Sequence, residues 1–398
     1  MKISSLTLYL EINNSKFNFF VLESDENNCS KIIYESNTPL IGIQNNRISD
    51  LEKSFELIKQ NIFFIEQKLN YTFKDIVVIL ENFNPSFINL AGFKKLNGSQ
   101  VLRENITYIL NTLKSYINEI YSNKEILHIF NSKFNLDSKK IENLPIGLFG
   151  DFYSHELSFI LINLNDYKNI NNIFDKCNLK IKKIILKSFI KGAYLINNNQ
   201  NTETFFQIQI GIDNSKIVYF ENSSLKFEQD FNFGLNIIIK DISKITSLKV
   251  NTVKEIMKKT KFEKNFLEDE IVEKHLFIED NFRKIKKKLI FEIALARIQE
   301  ISKIMLEKNI NIGHYKKYSN KLFVEITSEL QTESLINIFK SCFSEASEIE
   351  LKILNSFTSG DMLKTANEIV HFGWKKEAIP ITQSKKSLIV RFFDTIFG

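Results

Sequence analysis

The stretch Leu388-Ile389-Val390-Arg391-Phe392-Phe393-Asp394-Thr395-Ile396-Phe397 has residue types and spacing suited to binding a lipid surface. At about 100° per residue, its apolar side chains fill one arc of roughly 200°. Ser387, Arg391, Asp394 and Thr395 fill the rest, and Lys385 and Lys386 precede it. Ten residues rise only ~15 Å, too little to span a bilayer. The pattern fits a helix lying in the membrane interface. A terminal helix docked on the protein body has the same pattern. A second charged feature is the run Arg283, Lys284, Lys286, Lys287, Lys288, placed on a long helix through Ile301. It can attract an acidic peptide or simply face solvent. Arg297 on that helix can meet a partner carboxylate or pair with Glu292 or Glu300.

Groups for covalent or metal chemistry are sparse. Cys29, Cys177 and Cys342 lie far apart and are odd in number, so no disulfide framework or zinc site follows and a reducing compartment is expected. His128, His155, His275, His314 and His371 lack metal-ligand spacing. His128 lies in an apolar run and reads as a core residue. No Gly-x-Ser-x-Gly or Cys/His pairing supports a nucleophilic enzyme.

The 398 residues correspond to two or three domains. Hydrophobic content of 43% and charged content of 25% exclude a mainly disordered, collagen-like or multi-span membrane protein. Lys+Arg of 53 against Asp+Glu of 47 gives +6, a weak basic balance that suits an anionic membrane or an acidic partner. No surface interleaving basic and aromatic residues can be identified, so nucleic acid is not expected as a partner. The N-terminus MKISSLTLYLEINNSKFNFF alternates apolar and polar residues and lacks the apolar core of a signal peptide. No run reaches the ~18 apolar residues of a spanning helix. A cytosolic protein is expected. The many Phe, Ile, Asn and Lys suggest an A/T codon bias, which replaces Gly and Asp by Asn and Ser and blurs motifs.

Periodicity supplies the elements. Leu6, Leu8, Leu10 and Ile12 alternate as a strand, followed by strands at Phe17–Leu22 and Lys31–Glu35, with Asn13-Asn14 as a tight turn. Leu51, Phe55, Ile58, Ile62, Ile65 and Leu69 form one helical stripe, with Ser49 and Glu52 as a capping box. A buried strand follows at Asp75–Leu80. Residues 84–162 read as an inserted α+β subdomain. It comprises strand Ser86–Leu90, a helix after Ser99, strand Glu125–Phe130 and a Pro145–Gly150 turn. Strand, helix, strand, helix return at Leu157–Leu164, Tyr167–Cys177, Lys180–Leu186 and Ser188–Ile196.

The opening pattern then recurs, with strands Phe205–Ile210, Lys216–Phe220 and Leu225–Phe231 and a helix Leu235–Ile245. LEINNSKFNFF (10–20) and QIGIDNSKIVYF (209–220) each give strand, Asn-containing turn, Ser-Lys, strand. A duplicated two-lobe architecture follows, unless two Asn-rich hairpins match by chance. Residues 246–310 read as helical and highly charged. Strand Lys321–Ile326, helices Ser334–Phe343 and Asp361–His371, and a polar linker at 375–386 complete the chain.

This order of elements resembles the actin-like fold, in the branch of the bacterial cell-division protein FtsA. Glu11-Ile12-Asn13-Asn14-Ser15-Lys16 resembles that family's first phosphate loop. Ile126–Phe130, Phe134-Asn135-Leu136-Asp137 and Pro145–Gly150 resemble its inserted subdomain. Ile208–Asn214 sits where the second phosphate loop belongs. Phe233-Gly234 with Lys240-Asp241-Ile242, and Glu255-Ile256 and Ala296-Arg297 with Glu300, resemble the following turn and helices.

The resemblance implies two ribonuclease-H-like lobes with an inserted α+β subdomain and a C-terminal amphipathic helix, an α/β class. The implied boundaries are 1–83 with 163–200 for the first lobe, 84–162 for the insert, and 201–245 with 301–374 for the second lobe. A helical subdomain covers 246–300, a linker 375–386 and the amphipathic helix 387–398.

The resemblance also implies ATP and Mg²⁺ held by backbone amides of two hairpins. The expected contact residues are Asn13, Asn14, Ser15, Lys16, Gly211, Asp213, Asn214 and Gly234, with Glu255 at the ribose. Several positions depart from the pattern. Asn13 stands for Gly and Gln209 for the metal-orienting Asp, and Phe323–Ser328 lacks a Gly-Gly. Hydrolysis is therefore expected to be weak or absent, and the protein not to be an enzyme.

The function implied is a scaffold that tethers FtsZ filaments to the cytoplasmic face of the inner membrane at the division site. The FtsZ C-terminal peptide would meet 246–300, with Lys284, Lys287 and Arg297 as contacts. Leu388, Ile389, Phe392, Phe393, Ile396 and Phe397 would enter an anionic membrane surface. The chain would self-assemble into protofilaments and meet late division proteins through 84–162. The alternatives are a type IV pilus assembly protein of the same superfamily and a sugar-kinase-like phosphotransferase.

Overall fold

The computed structural model describes residues 5–13, 15–25, 30–44, 46–261, 270–319, 321–327, 332–347, 350–354 and 356–378. Asn14, Cys29 and all six tail residues expected to enter the membrane lie outside the described residues. The chain divides into two compact units. Unit 1 takes 1–201, 222–226 and 357–398, and unit 2 takes 202–221 and 227–356.

In unit 1, β1 (Ser5–Ile12), β2 (Lys16–Ser24) and β3 (Ser30–Pro39) form an antiparallel meander. A small ribbon of β4 (Ile43–Gln44) and β5 (Arg47–Ile48) leads into α1 (Leu51–Leu69). The helix buries Phe55, Ile58, Ile62 and Ile65, the stripe read from the sequence. Its N-cap is Asp50, not the expected Ser49. The Asp50 carboxylate accepts from Lys53 N at 3.1 Å, while the Ser49 hydroxyl donates to the Gly42 carbonyl. Next, β6 (Asp75–Leu80) lies parallel to β1 and is buried from Ile76 to Leu80. Near-continuous apolar runs mark strands covered on both faces.

The insert contains β7 (Ser86–Lys95), α2 (Arg103–Ile120), β8 (Lys124–Leu136), β9 (Lys139–Ile141) and β10 (Phe152–Asn163), with sheet order β7-β10-β8-β9. The strands run further than their apolar alternation suggests, because β10 is paired on both sides along its length. A Cβ on Gly92 would stand 2.4 Å from the Ile109 methyl, so α2 crosses β7 where no side chain intervenes. Then α3 (Leu164–Lys176), β11 (Lys180–Leu186) and α4 (Lys187–Asn198) return to the first sheet. That sheet has order β11-β6-β1-β2-β3.

Unit 2 begins with β12 (Phe205–Ile210), β13 (Ser215–Glu221) and β14 (Ser224–Phe231), followed by α5 (Leu235–Thr246) and α6 (Val250–Lys259). After α7 (Lys287–Ser302) come β15 (Lys321–Ile326), α8 (Glu333–Ser347) and β16 (Glu350–Leu354), a strand absent from the sequence reading. The sheet order is β14-β13-β12-β15-β16. Ile208, Ile242, Val253, Ile290, Ile298 and Phe339 form part of one buried core.

The two five-stranded sheets have the same order and the same senses. An antiparallel hairpin (β1–β2, β12–β13) is flanked by a parallel strand (β6, β15). The duplication is therefore real, but its register differs from the Ser-Lys alignment. Ile12 pairs with Phe17 and Ile210 with Ser215, so loop 13–16 corresponds to loop 211–214. Ser15 precedes β2, whereas Ser215 and Lys216 are already in β13.

Three other expectations change. The final helix α9 (Ser359–Phe372), assigned to the second lobe, belongs to unit 1. There the Tyr9 hydroxyl donates to Asn367 Oδ1 at 2.9 Å and Asn367 Nδ2 to Ser24 Oγ at 3.1 Å. The region 246–310 is not continuously helical. Residues 270–286 carry only a short 3₁₀ turn at Lys274–Leu276, and Ile271 bridges Lys286 as in a sheet. Residues 375–378, expected to begin a free linker, sit against β8. Asn131 N donates to the Lys376 carbonyl at 2.6 Å and Ala378 N to the Ile129 carbonyl at 2.7 Å.

Candidate functional site

The first candidate loop spans 13–16 in unit 1. Asn13 N donates to the Lys16 carbonyl at 3.1 Å, closing the hairpin. The Asn13 side chain turns back into the loop, and its Oδ1 accepts from Ser15 N at 2.9 Å and Lys16 N at 2.8 Å. This is an Asx turn, which Asn forms because its short amide reaches the backbone two and three residues on.

Strand β1 carries Glu11 into the loop, and Glu81 and Lys187 directly follow β6 and β11. Lys187 Nζ stands 2.5 Å from Glu11 Oε1 and 3.2 Å from Glu81 Oε1. Glu11 Oε2 also accepts from Asn18 Nδ2 at 2.9 Å. Burial works against the Lys187 charge, but the two carboxylates outweigh it and hold its pKa above the usual lysine value.

The second candidate loop spans 211–214 in unit 2 and repeats the closure, with Gly211 N donating to the Asn214 carbonyl at 2.9 Å. Glycine is required here because a Cβ would stand 2.7 Å from the Asn214 oxygen. Gly234 packs on the same loop, where its Cβ would meet the Gly211 oxygen at 2.4 Å. Leu235 N and Asn236 N at the start of α5 donate to the Gly211 and Ile212 carbonyls at 2.9 and 2.8 Å. Asn236 Nδ2 donates to Asp213 Oδ1 at 2.7 Å. Gly211, Asp213, Asn214 and Gly234 are thus brought together. Glu255 is not joined to them: it lies on α6 and pairs with Lys259 one turn on. Gln209 Nε2 faces Thr327 Oγ1 at 3.4 Å.

ATP with Mg²⁺ is what the actin-like resemblance implies at such loops. The first loop does not fit a phosphate, because the Ser15 and Lys16 amides that would receive it are taken by Asn13. Nor does its acidic group fit a divalent cation, because the Lys187 ammonium already occupies the place between Glu11 and Glu81. In the second loop, the first amides of α5 are taken by loop carbonyls. Among the described residues, no cluster of three His, Cys, Asp or Glu can hold a metal.

The expected partner residues are placed in unit 2. Lys284 is exposed and lies in the extended segment before α7. Lys287 Nζ pairs with Glu273 at 2.6 Å, and Arg297 pairs with Asp241 and with Glu300. Of the alternatives open for Arg297, Glu300 is met, and Asp241 on α5 is an added partner. Arg283 Nη2 donates to the Ser247 carbonyl at 2.7 Å. No described helix is long and apolar enough to cross a membrane.

A network missed by the sequence reading involves Glu377. Its carboxylate meets His128 Nδ1 at 2.9 Å and Lys183 Nζ at 2.6 Å. Since a carboxylate only accepts, His128 Nδ1 carries the proton. Burial opposes ionisation of Glu377, yet Lys183 and His128 hold its pKa down at about 2. Burial pushes His128 down despite that carboxylate. The only signal in the sequence was His128 inside an apolar run.

No family model matches the chain. The chain is similar to curated cell division proteins FtsA from Buchnera aphidicola. It is 23% identical to that of subsp. Baizongia pistaciae over 93% of this chain and 91% of the relative. It is 25% identical to that of subsp. Schizaphis graminum over 61% of this chain, a match spanning only 57% of that relative. Among solved structures, a chain of the PilM-PilN type IV pilus biogenesis complex aligns over 92% of this chain and 95% of its own, with TM-score 0.51 and 11% identity. That likeness is one of fold. The duplicated sheets and the insert between β6 and β11 give the chain the actin-like fold, and in sequence it is similar to FtsA proteins along nearly its whole length.

Proposed function

We propose that the protein is a non-enzymatic cell-division scaffold that links FtsZ filaments to the cytoplasmic face of the inner membrane. The observation that carries this reading is the similarity to an FtsA protein along nearly the whole of both chains. The amphipathic pattern at 387–397 supports an in-plane anchor. One such helix binds modestly, and neighbouring subunits in a protofilament raise its effective concentration. The FtsZ C-terminal peptide meets the 246–300 subdomain. There exposed Lys284 offers the attraction, whereas Lys287 and Arg297 shape the surface through their internal ion pairs. Self-association into protofilaments and contacts of the 84–162 insert with late division proteins complete the scaffold. ATP and Mg²⁺ have no step in it.

The test is binding of a labelled FtsZ C-terminal peptide to the full chain. Lys284→Glu should weaken it about threefold to tenfold at low salt, with less effect at high salt. Absence of any binding by the unaltered chain contradicts the reading.

A further inference from the structure

We propose that the first lobe carries built-in replacements for both ligands of an actin-like phosphate site, the Asn13 carboxamide oxygen for a phosphate oxygen and the Lys187 ammonium for a divalent cation. The proposal does not depend on the tethering role. Two independent observations carry it, and both lie within unit 1.

The first is the bonding of the loop. Successive backbone N–H groups in a turn form a concavity that takes an anion. Here Ser15 N and Lys16 N converge on one oxygen, Asn13 Oδ1, at 2.9 and 2.8 Å. The corresponding loop of unit 2 has the same hairpin closure but a glycine, Gly211, at the corresponding position. At the first position of two loops that close alike, unit 1 therefore carries a side chain that fills the concavity and unit 2 carries none.

The second is the cation between the carboxylates. Glu11, Glu81 and Lys187 stand at the carboxyl ends of β1, β6 and β11, three adjacent parallel strands. In open α/β sheets, ligands collect at that edge. Lys187 Nζ lies 2.5 Å from Glu11 and 3.2 Å from Glu81, bridging the pair as a bound cation would. An ammonium needs no hydration shell to be kept and cannot dissociate. Strand order at this edge is held by Glu81 N donating to the Ile12 carbonyl at 3.1 Å. Unit 2 repeats that bond, from Thr327 N to the Ile210 carbonyl at 2.8 Å, yet has Gln209 and Thr327 in place of Glu11 and Glu81. A lysine bridge is needed only where two carboxylates converge.

The consequence is a lobe whose folded state is complete without nucleotide or metal. The measurement is thermal unfolding of the full chain with Mg²⁺ alone, inorganic phosphate alone and Mg²⁺-ATP, on the unaltered protein and on two variants. The unaltered chain should show no saturable rise in Tm with any of them at millimolar concentration. Asn13→Gly frees two amides and should gain a phosphate-dependent rise in Tm, with apparent phosphate affinity improved about tenfold or more. Lys187→Ala leaves two converging carboxylates and should acquire a Mg²⁺-dependent rise in Tm that the unaltered chain lacks. Saturable stabilisation of the unaltered chain by Mg²⁺-ATP, phosphate or Mg²⁺ overturns the proposal, and this arm needs no variant to fold. A folded Asn13→Gly chain indifferent to phosphate, or a folded Lys187→Ala chain indifferent to Mg²⁺, overturns it as well.

Discussion

Glu377 shows how much can rest on one side chain in a segment that reads as linker. It joins His128 of β8 to Lys183 of β11 and so ties the insert to the first sheet within unit 1. Removing one member of a buried charge network leaves the others uncompensated, which costs about 3–5 kcal/mol. Glu377→Ala should lower unit 1 stability by that order in chemical denaturation and expose residues 375–378 to limited proteolysis. The buried histidines set the pH response. Burial pushes His155 down to about 3, and it stays neutral with Nε2 at 2.9 Å from Asn131 Oδ1. Below pH ~6.5 the unfolded chain takes up a proton that folded His155 refuses. Stability should therefore fall as pH drops from ~6.5 towards 3, by up to about 1.4 kcal/mol per pH unit for this group. Glu377 adds a second loss at lower pH. Its stabilisation is full above the ordinary carboxylate range and disappears as pH falls through about 2. Denaturation midpoints of His155→Phe against the unaltered chain between pH 7 and 5 check the first part; the variant's profile should be flatter.

At the scale of elements, the start of α5 is the tightest point of unit 2. Gly234 approaches the Gly211 and Ile212 oxygens so closely that any Cβ would stand 2.4 to 2.6 Å away. Gly234→Ala should destabilise unit 2 by about 1–3 kcal/mol and leave unit 1 unfolding unchanged, as read by denaturation followed with probes in each unit. Elements with strong period were legible: β6, β11, β12 and β15 fall on the expected residues, and α1 buries the expected stripe. The less legible ones have physical reasons. β10 outruns its alternation because it is paired on both sides, and its partner β8 is carried along with it through the polar stretch Asn131–Lys133. β16 escaped because Glu350–Leu354 is a short edge strand with only partial burial. The basic run was placed on a helix, yet only Lys287 and Lys288 lie in α7; before them Ile285 is buried and the backbone pairs with 270–272.

At the scale of the molecule, the duplication was readable from the order of elements, but the shared Ser-Lys was a false guide to register. Hairpin pairing, which periodicity cannot see, aligns Asn13 with Gly211. The candidate site was legible as a pair of loops. Its bonding was not, because the return of the Asn13 side chain and the convergence of Glu11, Glu81 and Lys187 arise from residues far apart in sequence. The scaffold account makes the chain a bridge between a polymer and a lipid surface. The measurement that tests it most directly is co-sedimentation of FtsZ filaments with vesicles containing anionic lipid, with either the full chain or one ending at Ser384 added. The account predicts that filaments pellet with the vesicles only when the full chain is present. Equal pelleting with both chains, or with neither, would contradict it.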